Sequence, residues 1–226
     1  MSTENMMIAN LSLLLSLLCL QTPAVPLPDF SVPKGSHKVM EIAGDLDKDG
    51  IKELVYVYNI NKPNGELGFF RELYICKVVD GETKLWKKNT SMLRSSKDCG
   101  FCYGGDAEVL LEIKNNTLII EQKFYHNSRH FSEIKDIFRY QKADWFLIGS
   151  NYHLYDTCDF DYTYDINFST KQVDVSFEYG DCDDEAKKPE DEYYKFKYPF
   201  KAVRMDGFKP GNTLFKIPNT KKEFAY

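Results

Sequence analysis

The chain has 226 residues, 43% hydrophobic and 28% charged, with a net charge of −5. That length supports one sizeable core. The acidic balance argues against a nucleic-acid binder, which needs Lys and Arg in excess on one face. Fifteen Tyr and sixteen Phe, many alternating with polar residues, favour pleated strands.

The chain opens on an apolar run, 8–20, closed by Pro23, Pro26 and Pro28, with no Lys or Arg before Lys34. The run is shorter than the ~20 residues a membrane span takes, but it suits the core of a secretory signal. The expectation is a leader over 1–24, export to the periplasm or the cell exterior, and no transmembrane segment. The alternative, a buried N-terminal helix, is disfavoured by the proline cluster that ends the run. Residues 25–226 then form one all-β domain, with 91–106 as a candidate subdomain boundary.

Past the Pro-rich lead, 38–43 reads as a strand that enters an acidic loop, and Leu54-Val-Tyr-Val-Tyr58 as a buried strand leaving it. The Asn, Pro and Gly of 61–68 signal a turn. Residues 69–79 form the return strand, Asp80-Gly81 a hairpin turn, and 84–88 a fourth strand. The first third is thus a four-stranded antiparallel meander.

Segment 91–106 is polar, Gly-rich and carries Cys99 and Cys102. Beyond it the strand rhythm resumes. Residues 109–113 pair with 117–125 across Asn115-Asn116, and 131–140 with 145–149. Residues 162–168 pair with 173–179 around Ser169-Thr170. In this last hairpin Ile166 faces Val173 and Tyr164 faces Val175, so that apolar residues share a face. Segments 193–198 and 214–217 add one or two strands. No long 3.6-residue period occurs, so little helix is expected. Antiparallel meanders forming an open sandwich or curled sheet are the predicted architecture.

Asp45-Leu-Asp47-Lys-Asp49-Gly50-Ile-Lys-Glu53 carries the most specific chemistry. Alternating carboxylates, a glycine that permits a sharp turn, and a further acid make a site for a hard, oxygen-seeking cation. Asp45, Asp47 and Asp49 are the candidate Ca2+ ligands, with the Ile51 carbonyl and Glu53 closing the site. An EF-hand is excluded, because its bidentate acid belongs at loop position twelve, where Tyr56 stands inside a β run.

From Gly44 to Val57 the motif resembles the calcium loops of FG-GAP and VCBS-type repeats, found in integrin-like propellers. There the ion sits between two strands of one blade. Further on, Asn116-Thr-Leu-Ile-Ile-Glu and Phe138-Arg-Tyr-Gln-Lys-Ala-Asp-Trp-Phe-Leu-Ile-Gly149 look like a group of uncharacterised exported bacterial proteins with one such loop. That resemblance implies location and fold, and no activity. One acidic loop does not make a closed propeller, which needs at least four blades of ~40 to 50 residues.

Other features carry two readings each. Cys99-Gly-Phe-Cys102 has redox spacing but no βαβ setting, which favours a structural disulfide. Cys158 and Cys182 form a second candidate pair, since the hairpin register brings them within one residue of alignment. His126 and His130 are a metal pair or a solvated turn, and Ser128 or Ser132 beside His130 a nucleophile and base without a motif. Asp156, Asp159, Asp161 and Asp165, with Asp181, Asp183 and Asp184, form an acidic face. It is a solvated rim, a patch for a basic partner, a second calcium site or a hydrolase's carboxylates.

The function expected is that of an exported, non-enzymatic binding protein with structural calcium. Its partner is a protein or a glycan, and Trp86, Trp145, Tyr103, Tyr152 and Tyr155 suit either. The alternatives are a periplasmic immunity or inhibitor protein and a secreted hydrolase that uses the acidic cluster.

Overall fold

The computed structural model describes residues 26–180 and 188–226. The first meander contains β1 (His37–Gly44), β2 (Glu53–Pro63), β3 (Phe69–Val79) and β4 (Glu82–Asn89), side by side in chain order. The second sheet runs through β5 (Val109–Lys114), β6 (Thr117–Tyr125), β7 (His130–Gln141), β8 (Asp144–Asp156), β9 (Phe160–Asn167), β10 (Gln172–Tyr179) and β11 (Glu192–Lys197), again in chain order. A hairpin of β12 (Leu214–Lys216) and β13 (Glu223–Ala225) ends the chain. Every pairing between these strands is antiparallel and no sheet closes into a barrel. One 3-10 turn, Gly65–Leu67, is the helical element among the described residues.

Local chemistry accounts for the turns. Asn115 and Asn116 both take positive φ, as does the Asp80-Gly81 pair, which matches the twist of the flanking strands. Lys142 and Ala143 do the same between β7 and β8 with less suitable side chains. The observed β9–β10 register pairs Ile166 with Val173 and Tyr164 with Val175, as the apolar pattern requires. Two strands exceed expectation: β8 continues past Gly149 to Asp156, and β13 adds a partner for β12.

Alternation buries one face of each sheet against the other. Val55, Val57, Leu73 and Ile75 from the first sheet meet Leu118, Ile120, Phe138, Trp145 and Leu147 from the second. The sheets come closest where β1 meets β5. A Cβ on Gly44 would lie 2.7 Å from Ile113 Cγ2, so glycine is what lets the strands approach there. Four strands cannot cover seven. Over the far half of the second sheet, the C-terminal hairpin contributes Phe215, Ile217 and Phe224 to a separate cluster with Ile166, Val173, Val175 and Phe177.

Candidate functional site

The β1–β2 loop folds through positive φ at Lys48 and Gly50, 72° and 84°. Leu46 turns inward, 1% exposed, and anchors the loop in the core, while the aspartates on either side are partly exposed. The reversal lets Asp45 accept the N–H groups of Lys48 at 2.7 Å and Gly50 at 3.3 Å. Asp47 accepts from Asp49 N at 3.3 Å and Asp49 from Ile51 N at 2.7 Å. One carboxylate oxygen from each of Asp45, Asp47 and Asp49 lies within 4.8 Å of the others, a group that could hold a metal ion. Each oxygen keeps a lone pair beyond its N–H contact. Asn116, in the β5–β6 turn, donates to the Asp45 carbonyl at 2.8 Å and ties the loop to the second sheet.

Glu53 and Ile51 behave differently from the three aspartates. Glu53 is 1% exposed, and its Oε2 accepts the Leu46 N–H at 2.7 Å, bracing the loop from beneath. Burial pushes its pKa up against the opposing pull of the Leu46 N–H and Lys77, with Asp47 and Asp49 adding to the rise. The Ile51 side chain is exposed.

Lys77 on β3 is the residue that reading the loop alone missed. Its ammonium contacts Asp47 Oδ2 and lies 3.4 Å from Asp49 Oδ2 and 3.5 Å from Glu53 Oε1. It also rests 4.4 Å above the Trp86 ring. Burial works against its charge, but Asp47, Glu53 and Asp49 outweigh that and raise its pKa. The hairpin register held the signal: Leu54 faces Cys76, so Glu53 comes opposite Lys77.

The other candidates separate. Cys99 and Cys102 form a disulfide in the loop between β4 and β5. Cys182 lies outside the described residues, as do Asp181, Asp183 and Asp184 and the 1–24 leader. The two histidines diverge. His130 Nε2 stands 3.0 Å from Asp156 Oδ2, whereas His126 Nε2 stands 2.9 Å from Ser132 Oγ. Ser132 therefore pairs with His126, and not with His130. In the acidic face, Arg129 bonds Asp156 and Asp159 at 2.7 Å each, and His153 meets Asp161 at 2.8 Å. Those carboxylates are spent on local structure. Among the described residues, the group of three acidic or metal-ligating side chains close enough to share an ion is the loop's.

The aromatic candidates also divide. Trp145 is 1% exposed, with Trp86 at 5.1 Å and Tyr140 at 5.7 Å between ring centroids, so both tryptophans serve the core. Tyr103 is exposed, and Tyr155 stacks between Phe131 and His153. No helix among the described residues is long and apolar enough to cross a membrane. No family model matches the chain, and neither does any curated protein or solved structure.

Proposed function

We propose that this chain is an exported binding protein in which a calcium ion secures the β1–β2 loop, with a protein or a glycan as its partner. The observation that carries the ion is the convergence of Asp45, Asp47 and Asp49 within 4.8 Å at the loop joining β1 to the buried strand β2. With Glu53 the loop holds four carboxylates, which outnumber the ammoniums of Lys48, Lys52 and the paired Lys77, so an excess of negative charge remains for a divalent cation. Oxygen ligands of this kind suit Ca2+, and no soft ligand favours zinc. The disulfide Cys99–Cys102 supports an oxidising compartment, in agreement with the apolar leader.

Calorimetry and thermal melting of the purified protein test the ion. Excess calcium is expected to raise the melting temperature by several degrees over chelator, since binding the native state alone stabilises by ~2.7 kcal/mol at a hundredfold excess over Kd. Asp49→Ala is expected to remove most of that gain. Wild-type melts that superimpose, with no binding heat at millimolar calcium, would reduce the loop to an acidic turn. Mass spectrometry of the natively produced protein tests export, and an N-terminus between Ala24 and Asp29 is the expected result. An intact leader recovered from the cytoplasm would refute it.

A further inference from the structure

The two covers of the seven-stranded sheet leave a seam. A cleft of about 770 Å³ opens there, walled on one side by the turn after β2 and the segment after β4, and on the other by 209–214 and β13. Its floor is the inner face of β6 to β9. Gln122, Ile134, Tyr152 and Tyr164 form a continuous cross-strand row in that floor, each the partner of the next. Ser132 and Ser150 lie on either side of the row.

These are inward positions, where the same face elsewhere carries Leu118, Ile120, Phe138, Val173 and Val175. Here they are polar yet buried: Gln122, Ser132 and Ser150 are 3–4% exposed. Buried hydroxyls and amides cost stability unless they are bonded, and each has a partner. Ser150 donates to Asp136 at 2.8 Å, and Ser132 pairs with His126. Gln122 accepts from Arg94 N at 2.7 Å and donates to Met92 O at 2.9 Å, which fixes the wall to the floor. The hydroxyls are thus held in place with hydrogen-bonding capacity to spare.

The chemistry of the cleft selects among ligands. An apolar ligand would leave the spare hydrogen-bonding capacity of the floor hydroxyls unused. A charged ligand would need a charge in the floor, but the floor row and its two serines are uncharged; on the walls Arg94 pairs with Asp98 at 3.5 Å and Glu223 with Lys216 at 3.6 Å, while Lys209 is exposed. Burial, with Arg94 and His130 nearby, holds His126 below its ordinary pKa, which disfavours its charged form. An extended peptide would look for free backbone groups, whereas the floor is a sheet face whose backbone is committed to its ladders. What remains is a ligand with many hydroxyls and apolar ring faces, set against Tyr152 and Tyr164, the latter backed by Phe224 at 4.4 Å.

We propose that this cleft binds a neutral oligosaccharide, with Tyr152 and Tyr164 as the stacking surface and the Ser132 and Ser150 hydroxyls as hydrogen-bond partners. This rests on reading the chain as a binding protein, and the calcium loop contributes no residue to it.

The test is an array of short neutral oligosaccharides of hexoses and N-acetylhexosamines, followed by titration calorimetry with the best of them, in calcium and in chelator. Ser132→Ala and Tyr152→Ala are expected to weaken binding by about tenfold or more, and Tyr152→Phe to restore most of it. Leu214→Trp, at a 68% exposed position on the rim, narrows the mouth without disturbing the core and is expected to weaken binding too. The proposal is overturned if the folded wild type retains no saccharide at millimolar concentration, or if Tyr152→Ala and Leu214→Trp bind like wild type. A peptide that occupies the cleft undisplaced by saccharide overturns it as well. A lost calcium response with intact saccharide binding fails the loop alone, and the converse fails the cleft alone.

Discussion

Lys77 Nζ lies 3.5 Å from Glu53 Oε1, across the β2–β3 pair, and the same ammonium touches Asp47. The loop therefore carries a tethered cation of its own. A calcium ion at Asp45, Asp47 and Asp49 must coexist with that ammonium or displace it, and like charges this close repel by several kcal/mol at an effective dielectric near 20.

Lys77→Met removes the competitor. Calcium affinity measured by calorimetry is expected to rise by about tenfold or more. In chelator the variant is expected to melt below wild type, because the loop's carboxylates lose their compensating charge. A calcium-induced rise in melting temperature no larger than wild type's would show that Lys77 and the ion do not share the site.

Glu53→Ala leaves the Leu46 N–H, beneath the loop, without its 2.7 Å partner. A stranded buried donor costs about 1–3 kcal/mol. Urea denaturation in chelator is expected to show a loss of that size, with Glu53→Gln milder because its amide oxygen still accepts. Equal losses for the two variants would mean that the hydrogen bond is not what matters.

Asp136 is 3% exposed, bonded to Ser150, and its pKa is pushed up to about 7 by burial. In the unfolded chain an aspartate titrates near 3.9. Below that value both states hold the proton and Asp136 costs nothing. Between about 4 and 7 only the folded state keeps it, so stability falls as pH rises and levels off above 7. Asp136→Asn cannot ionise, and its advantage over wild type is expected to grow from near zero at pH 4 to a few kcal/mol at pH 8. Melts that keep a constant offset across this range would contradict the titration.

Gly180 follows β10, and its N–H donates to the Asp159 carbonyl at 2.8 Å. A Cβ there would stand 1.6 Å from the Cys158 carbonyl oxygen. The chain thus leaves β10 pressed against Cys158, two residues before Cys182. Non-reducing peptide mapping is expected to recover Cys158 joined to Cys182, a loop of about 24 residues whose closure contributes about 3 kcal/mol. Both thiols recovered free from oxidised protein would refute the pairing. Gly180→Ala is expected to lower the melting temperature by several degrees; an unchanged melt would mean that the close approach is not maintained.

Much of the architecture was legible because it is local. Alternation in Leu54-Val-Tyr-Val-Tyr58 and in 173–179 told which side chains turn inward, and Asn115-Asn116 marked its turn through tolerance of positive φ. Spacing in 45–49 likewise determined the convergence of three carboxylates, since one reversal of the backbone suffices to bring them together. Lys77 was hidden because its approach to the loop depends on a pairing partner thirty positions from Asp47. The exchange of His130 for His126 beside Ser132 turned on the exact geometry of one hairpin end, and Trp86 and Trp145 showed no sign in sequence of packing on each other. The cleft was decided last of all. Period two says that Gln122, Ser132 and Ser150 face inward, but whether an inward position is sealed depends on how far four strands reach across seven and where the terminal hairpin docks. Those contacts join residues distant in the chain, so no run of neighbours encodes them.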